Sequence, residues 1–406
     1  MSEQQELWQT IKDKAYCDPM RRMDFVLLFD VRDGNPNGDP DAGNLPRMDP
    51  MTREGIVTDV CIKRKIRDYL ANVLECSIYI QSEFALNTLY FRAAREVDAA
   101  KRHVLELDLS GEHLKHVLTF TRKSKNIEPT DDGLDAVRDW LADVEVEGLE
   151  YHPSDEKLTY FGEAKNTDSF KGLLGGDRDE TPGHLPEKAI DLIAKALADA
   201  KKEKGGAKLG RDVREQVKAK MCELYDDIRL FGAVLTAGTN AGQIRGPMQF
   251  KFARSVQPIL QQDAAITRCA ITKESDRARK ETEFGRKAWL SYAAYRQHGY
   301  FNSPLAEQTG VSRDDLARFW EAVAGMFPNS QSASKGEMAT QDLLVFVHPN
   351  SRGNAPAHRL LDRVKVNNNR KPRLGFGDKA EEDDDALIQE RGIEVCRPLR
   401  DLWGDL

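Results

Sequence analysis

Apolar and polar positions divide this 406-residue chain into two kinds of stretch. In some, an element can be read directly. Phe25-Val-Leu-Leu-Phe29 is an unbroken apolar run, so Met23–Val31 is expected to be a buried strand. Thr58–Val73 has helical spacing. Ile62, Ile66, Tyr69, Leu70 and Val73 form one stripe, Lys63, Arg64 and Arg67 fall on the adjoining face, and Thr58 stands as N-cap before Asp59. Ser77–Ile80 reads as a second, short strand. A helix is expected from Arg211 to about Arg229, on the stripe Val213, Val217, Met221, Leu224 and Ile228. Met248–Ser255 alternates as a strand, and Ile266–Thr272 and Leu343–His348 are further strands. Ser312 caps a helix with the core stripe Leu316, Phe319, Trp320, Val323 and Phe327, and Asp315 completes a capping-box variant. This is an α+β order, compatible with a split βαβ, ferredoxin-like (RRM-like) sheet. Such a fold serves many functions and names none.

Other stretches lack that regularity. Residues 1–20 read as a helical or irregular arm. Residues 95–210 are polar, acidic and loop-rich, with helices expected at 132–143 and 186–203, a glycine-rich loop at Gly172–Gly183 and a linker at 204–210. This span reads as an inserted subdomain between 1–94 and 211–366. Residues 367–406 form an acidic tail, expected to be mobile until the closing Leu-Trp-Gly-Asp-Leu.

Between the first strand and the first long helix lies Asp33-Gly-Asn-Pro-Asn-Gly-Asp-Pro-Asp-Ala-Gly-Asn-Leu-Pro46. Glycine supplies positive φ, proline fixes φ, and Asn and Asp bond back to their own backbone. A long loop specified this strongly is expected to have a function.

Charge sharpens the picture. The net charge of -7 argues against a nucleic-acid partner only if charge is spread evenly. It is not. Residues 53–70 carry five basic and three acidic side chains, 201–220 eight and three, 268–287 seven and four, and 359–373 six and one. The acid is concentrated at 128–150 (nine against one) and 377–394 (eight against two). Segregation of this kind allows a basic groove on an acidic protein. Six scattered cysteines without a CxxC pair read as reduced thiols of a cytoplasmic protein. No apolar run is long enough for a membrane span, and the N-terminus has no secretory pattern.

Candidate chemistry was weighed motif by motif. Asp33-x-Asn35-x-Asn37-Gly38 opens like a calcium loop, but Asn44 stands where the bidentate carboxylate belongs and Pro36 and Pro40 interrupt it. Asp30, Asp33, Asp39 and Asp41 lack a spacing specific to a divalent metal. Thr236–Gly246 places three glycines beside Asn240, Gln243 and Arg245. It is not a Walker loop, and it reads either as backbone approaching a sugar-phosphate chain or as a plain helix-to-strand connection. Phe250-Lys-Phe-Ala-Arg254 interleaves aromatic and basic residues as single-strand binders do. His348 and His358 lack ligand partners and read as loop or capping residues. Cys61 and Cys222 sit on apolar helix faces. No catalytic residue, metal or cofactor is expected.

Several segments together carry a resemblance. Asp24 to Arg47, Val57 to Arg67, Asp227 to Thr236, Gly242 to Phe250, Tyr295-Arg-Gln-His-Gly299 and Gly353-Asn-Ala-Pro-Ala-His358 occur in family order over residues 21–95 and 211–366. They resemble the backbone subunits of type I-C CRISPR Cascade, the seventh CRISPR-associated protein family. The resemblance implies an RRM-like palm (1–94 and 211–366) with a thumb at about 253–290, copies stacked into a filament along the spacer of a CRISPR RNA, and guide pairing with target DNA. It implies other Cascade subunits as partners: the crRNA-processing subunit at the 5′ end, the large subunit and the small subunit. It implies no nuclease activity.

On that reading Asn44 and Arg47 contact RNA backbone or a neighbouring copy. Lys63, Arg64 and Arg67 contact phosphates. Asn240, Gln243 and Arg245 cradle the chain, and Arg254, Arg268 and Arg286 belong to the thumb and its base. The insertion at 95–210 is longer than the family leads one to expect. Two other readings stand beside this one. One is a metal-dependent ribonuclease of the type III backbone kind, using Asp30 or Asp33. The other is a protein-only scaffold.

Overall fold

The computed structural model describes residues 3–97, 104–108, 148–152, 154, 157–162, 164, 166–175, 187–203, 211–235, 242–268, 283–367, 372–376, 388 and 390–404. The chain forms two compact units. One comprises Met1–Ile78, Asp226–Gly232 and Arg245–Leu406, and the other Tyr79–Tyr225 and Ala233–Ile244.

In chain order, α1 (Glu3–Lys12) precedes β1 (Met23–Gly34), β2 (Gly38–Asp39), β3 (Leu45–Pro46), β4 (Glu54–Val57) and α2 (Asp59–Asn72). The second unit follows with α3 (Leu86–Arg95), β5 (Leu105–Asp108), β6 (Leu149–His152), β7 (Lys157–Tyr160), α4 (Thr167–Gly175), α5 (Glu187–Glu203) and α6 (Arg211–Leu224). Then come α7 (Asp226–Phe231) and the hairpin β8 (Gly232–Leu235) and β9 (Gly242–Arg245). The chain continues with β10 (Met248–Phe250), β11 (Ala253–Pro258), β12 (Gln262–Arg268), β13 (Glu283–Phe301), α8 (Ser303–Thr309), α9 (Arg313–Asn329) and β14 (Glu337–Val347). It closes with α10 (Ala357–Leu361), β15 (Val364–Asn367), β16 (Arg373–Phe376), β17 (Glu394–Cys396) and α11 (Pro398–Trp403).

The main sheet of the first unit is antiparallel, in the order β17-β14-β1-β13-β11-β4, and β10 and β12 also pair with β13. β1 lies inside it, and both of its faces are covered. Phe25, Leu27, Phe29 and Val31 pack with Ile62, Ile66 and Leu70 of α2 and Leu316, Phe319, Trp320 and Phe327 of α9. Val26 and Leu28 join a second core with Leu344, Phe346, Leu360, Val364, Leu374 and Ile393. A strand covered on both faces has no polar side to show, which is why it reads as an unbroken apolar run. The predicted caps are in place. Thr58 accepts from Cys61 N, and Ser312 and Asp315 form a full capping box.

Gly299 of β13 pairs with Phe25, and a Cβ at that glycine would fall inside the Phe25 ring. That ring is itself packed edge-on against Trp320, with centroids 5.3 Å apart. Gly299→Ala is expected to lower stability by about 1–3 kcal/mol through overpacking. A urea midpoint equal to that of the parent chain would contradict this.

The second unit packs the antiparallel sheet β5-β7-β6 against α4 and α5, around Leu158, Tyr160, Phe170, Ile193 and Leu197.

Several expectations need correction. Ser77–Ile80 is irregular, and Ser77 O accepts from Asp226 N (3.0 Å). The same bond takes Asp226 N out of the helical ladder, so the single helix expected over 211–229 breaks at Tyr225 into α6 and α7. Met248–Ser255 is two strands, separated where Lys251 N donates to His298 O and Lys251 O accepts from the Gln297 amide. Gly172 to Gly175 are helical, and the rest of the expected glycine loop lies outside the described residues, as do the helix at 132–143 and the linker at 204–210. Within the tail, β16 pairs with β15, β17 extends the main sheet beside β14, and Leu399 enters the core. Tyr16 and Lys14 both bond Asp401, which ties α11 to the start of the chain, and the acidic run at 377–387 lies outside the described residues.

Candidate nucleic-acid interface

The loop after β1 uses its polar side chains to build itself. Asp33 and Asn44 have left-handed φ values of 46° and 63°. Asp39 caps the turn over Pro40–Ala42, and its carbonyl accepts from Asn44 N at 2.7 Å. The Asn35 amide donates to Asn44 O at 2.7 Å. Asn37 Oδ1 accepts from Thr58 N and Thr58 Oγ1, both at 3.0 Å, tying the loop to the start of α2. Asn35 N donates to Ser334 O at 2.8 Å, which docks the loop on the turn leading into β14. Among the described residues no group of three His, Cys, Asp or Glu side chains is placed to hold a metal ion. Asp30 is buried, accepts from the Gln341 amide at 2.8 Å and has its pKa raised by burial. Asp33 is exposed.

The three cations expected on one face of α2 are separated by the fold. Arg64 is half-exposed and paired with Asp68 at 2.7 Å. Lys63 bonds Asp59 at 3.2 Å and lies 5.9 Å from the Phe231 ring centroid. Arg67 turns inward. Its Nε donates to the fully buried Asp227 at 2.8 Å and its guanidinium covers Phe231 at 5.1 Å, so it is a core ion pair and not a surface contact. The helical period brings residue 67 within one turn of the core stripe, and Asp227 supplies the charge that makes burial tolerable.

A cation that the sequence reading passed over takes its place. Lys65 is 3% exposed, donates to Ser330 Oγ at 3.2 Å and sits 5.9 Å from the Phe327 ring centroid. Burial pushes its pKa down to about 8. Lys335 and Arg47 lie on the same side, and all three cations act on the Cys61 thiol, whose own pKa burial raises. Arg47 bonds Asp39 at 3.4 Å, while its Nε is buried without a hydrogen-bond partner, as is Asn35 Oδ1. The available signal was Lys65 itself, a lysine between Ile62 and Tyr69 on the apolar stripe.

Gln243 and Arg245 are both exposed on β9; Gln243 belongs to the second unit and Arg245 to the first. Asn240 lies outside the described residues. Gly246 is required where the chain passes Phe231, because a Cβ there would meet the Phe231 carbonyl carbon. Of the stretch 236–246, read as either a sugar-phosphate cradle or a helix-to-strand connection, residues 242–245 form β9, which pairs with β8, and residues 236–241 lie outside the described residues.

The main sheet carries a cavity beside β11 and β13. It has a volume of about 390 Å³ and is lined by Phe252, Arg254, Val256, Arg296, His298 and Val366. Arg254 is held by Asp49 at 3.2 Å and Glu54 at 2.9 Å. Arg32 lies over the exposed Tyr292 ring at 5.6 Å. Burial, reinforced by Arg296, lowers the His298 pKa from 6.5 to about 4. The unfolded chain therefore binds a proton that the folded chain refuses between those values, and stability falls as pH drops through that window. An acid titration of unfolding is expected to show this component in the parent and not in His298→Phe.

β12 and β13 form a long hairpin. In it Arg286 is exposed and paired with Asp263, and Arg268 pairs in register with Glu283. His348 lies in the loop just past β14, as expected, and is fully buried. Its Nε2 faces Asp24 Oδ2 at 2.9 Å and its Nδ1 accepts from Asn354 N at 3.0 Å, which locks the Gly353–His358 loop.

Comparison with known proteins agrees in its coarse outline. The family model for CRISPR-associated protein Cas7 matches residues 21–125 and 162–385. A stretch of 51 residues is 47% identical to a CRISPR-associated protein Cas7 of Haloferax volcanii, spanning 13% of this chain and 15% of that relative's length. Two solved structures are similar at 15% identity. One, a CRISPR RNA-guided surveillance complex, pre-nicking, has a TM-score of 0.36 with 80% of this chain and 78% of that chain covered. The other, a CRISPR RNA-guided surveillance complex, has a TM-score of 0.38 with 95% and 89% covered.

Proposed function

The chain belongs to the CRISPR-associated protein Cas7 family, and from that premise we propose that it is the crRNA-binding backbone subunit of a type I-C Cascade. Copies line up along the guide spacer and present it for pairing with target DNA in antiviral defence. The observation that carries this reading is the cradle within the family-matched segments: the Asp33–Pro46 loop, the first turns of α2 and the Ser332–Lys335 turn bring Arg47, Lys65 and Lys335 to the Cys61 thiol, while the carboxylates there, Asp39, Asp59 and Asp68, are paired with Arg47, Lys63 and Arg64. Excess cation beside orphaned polar atoms is what an RNA backbone requires.

The strand order β14-β1-β13-β11, with α2 and α9 on one face, supports an RRM-like palm. The β12–β13 hairpin is the thumb, with Arg286 and Arg268 along it, and Arg254 at its base. Arg245 extends the RNA track. The remaining partners are other copies of the chain and the processing, large and small Cascade subunits. The protein acts in the cytoplasm. Among the described residues no helix is long and apolar enough to cross a membrane.

Anisotropy of a labelled single-stranded RNA tests the reading. Affinity is expected to fall with salt, with a log–log slope of about -0.7 for each phosphate held. No binding at low salt would reject it. The subunit is also proposed to be non-catalytic. Complementary RNA incubated with the filament and magnesium stays intact, whereas a regular ladder abolished by Asp33→Ala would replace this proposal with the ribonuclease.

A further inference from the structure

Lys65 is a buried amine without an acidic partner. Among the described residues no carboxylate lies within ion-pair distance of it. Asp68, one turn on, is engaged by Arg64 at 2.7 Å. The groups that face Lys65 are the Cys61 thiol and Asp68 of its own helix, Ser330 and the Phe327 ring at the end of α9, and Lys335 from the turn into β14. A lysine buried on an apolar stripe costs stability that a methionine of similar shape would not. One turn back on the same helix, Cys61 Sγ reaches Pro36 O of the Asp33–Pro46 loop at 3.5 Å, and that loop and Arg47 after it carry two independent signs of a missing ligand. Arg47 Nε is a buried donor without an acceptor, and Asn35 Oδ1 is a buried acceptor without a donor. A phosphate oxygen satisfies the first and a ribose 2′-hydroxyl the second, which is the chemistry of an RNA backbone.

We propose that Lys65 is an inner phosphate ligand of this cradle, held beside Lys335 and engaged only when an RNA backbone occupies it. The proposal rests on the RNA-binding reading above and adds a residue and a linkage to it. In the free protein burial and Lys335 hold Lys65 near pH 8. A bound phosphate raises that value, so RNA binding at mildly alkaline pH draws a proton from solution. At pH 8 the free amine is only partly protonated and the phosphate-bound amine more so, giving a fractional proton uptake per protomer. Cys61 does not account for such uptake, because burial keeps its thiol protonated in this range.

The test is calorimetry of the full chain with a synthetic single-stranded RNA at pH 8, in two buffers of different ionisation heat. The parent is expected to give a buffer-dependent heat equivalent to that uptake, and Cys61→Ser to retain it. Lys65→Arg keeps its charge at every pH tested and is expected to bind RNA without uptake. Lys65→Met is expected to melt at a higher temperature than the parent yet bind RNA at least tenfold more weakly, a split that a purely structural lysine does not produce. RNA binding by the parent with no buffer dependence, or Lys65→Met binding as well as the parent, would overturn the proposal and leave the RNA-binding reading standing. Failure of the parent to bind RNA at all would remove both. If Lys65→Met does not fold, the comparison of parent with Lys65→Arg decides alone.

Discussion

Asp227→Ala is expected to cost the first unit about 3–5 kcal/mol, the penalty for leaving a buried charge without its partner. Asp227 is fully buried and accepts from Arg67 Nε at 2.8 Å. With the carboxylate gone, the Arg67 guanidinium would remain on the Phe231 ring, with no anion and little water. The site also lies where the chain re-enters the first unit at α7. There Arg229 bonds Asp226 at 2.7 Å and Asp315 at 3.0 Å, so α7 is held by a second ionic group as well. Urea unfolding followed by circular dichroism is the measurement. The double variant Arg67→Met/Asp227→Leu is expected to recover most of the loss, because a volume-matched apolar pair often replaces a buried ion pair without cost. A midpoint unchanged in Asp227→Ala would place Arg67 on the surface, as its position in the sequence first implies.

The second large effect concerns RNA. Arg47→Ala combined with Lys335→Ala is expected to lower stability by no more than about 1 kcal/mol, because both side chains are half-buried and Arg47 gives up its pair with Asp39. RNA affinity is expected to fall by about 3 kcal/mol or more, at about 1.5–3 kcal/mol for each charge-assisted contact. The salt slope should become shallower by about 1.4, two phosphates at about 0.7 each on a single strand. Arg47 has its Nε buried and unpaired and only Asp39 beside it, so its charge is available to a ligand. Lys335 sits on the turn that the Asp33–Pro46 loop rests upon. Loss of affinity with an unchanged slope would mean that the pair shapes the loop and does not touch phosphate. Exposed cations already paired with carboxylates, such as Arg254 with Asp49 and Glu54, are expected to matter less.

What could be read from the sequence was what local physics decides. Thr58 and the Ser312–Asp315 box stop or start a helix within one turn, and both caps form where they were read. β1 was visible because burial on both faces leaves no polar residue in Phe25–Phe29. The mixed α+β order followed from these elements. What failed depended on distant partners. Arg67 reads as a surface cation until Asp227, 160 positions away, is placed against it. Lys65 looks like one more basic residue of α2 until Phe327 and Ser330 enclose it. Ser77–Ile80 has strand-like composition, but the Ser77 carbonyl is taken by Asp226 N and breaks a helix instead. The tail reads as loose because it is acidic; its acidic run lies outside the described residues, and beyond it β17 finds the β14 edge and Arg397 reaches Asp342 at 2.9 Å. The Asp33–Pro46 loop was recognised as specified, but its Asn and Asp side chains hold its shape, and the cations around it come from α2 and the turn before β14.

The central claim is that this cradle holds a guide RNA. Its most direct test is to purify the full chain from cells that also transcribe a CRISPR array and to extract and size whatever nucleic acid comes with it. The account predicts RNA of uniform length, bound in several protein copies per strand and lost together with the Arg47 and Lys335 charges. A particle free of RNA, or one carrying fragments of random length that the double variant retains, would contradict it.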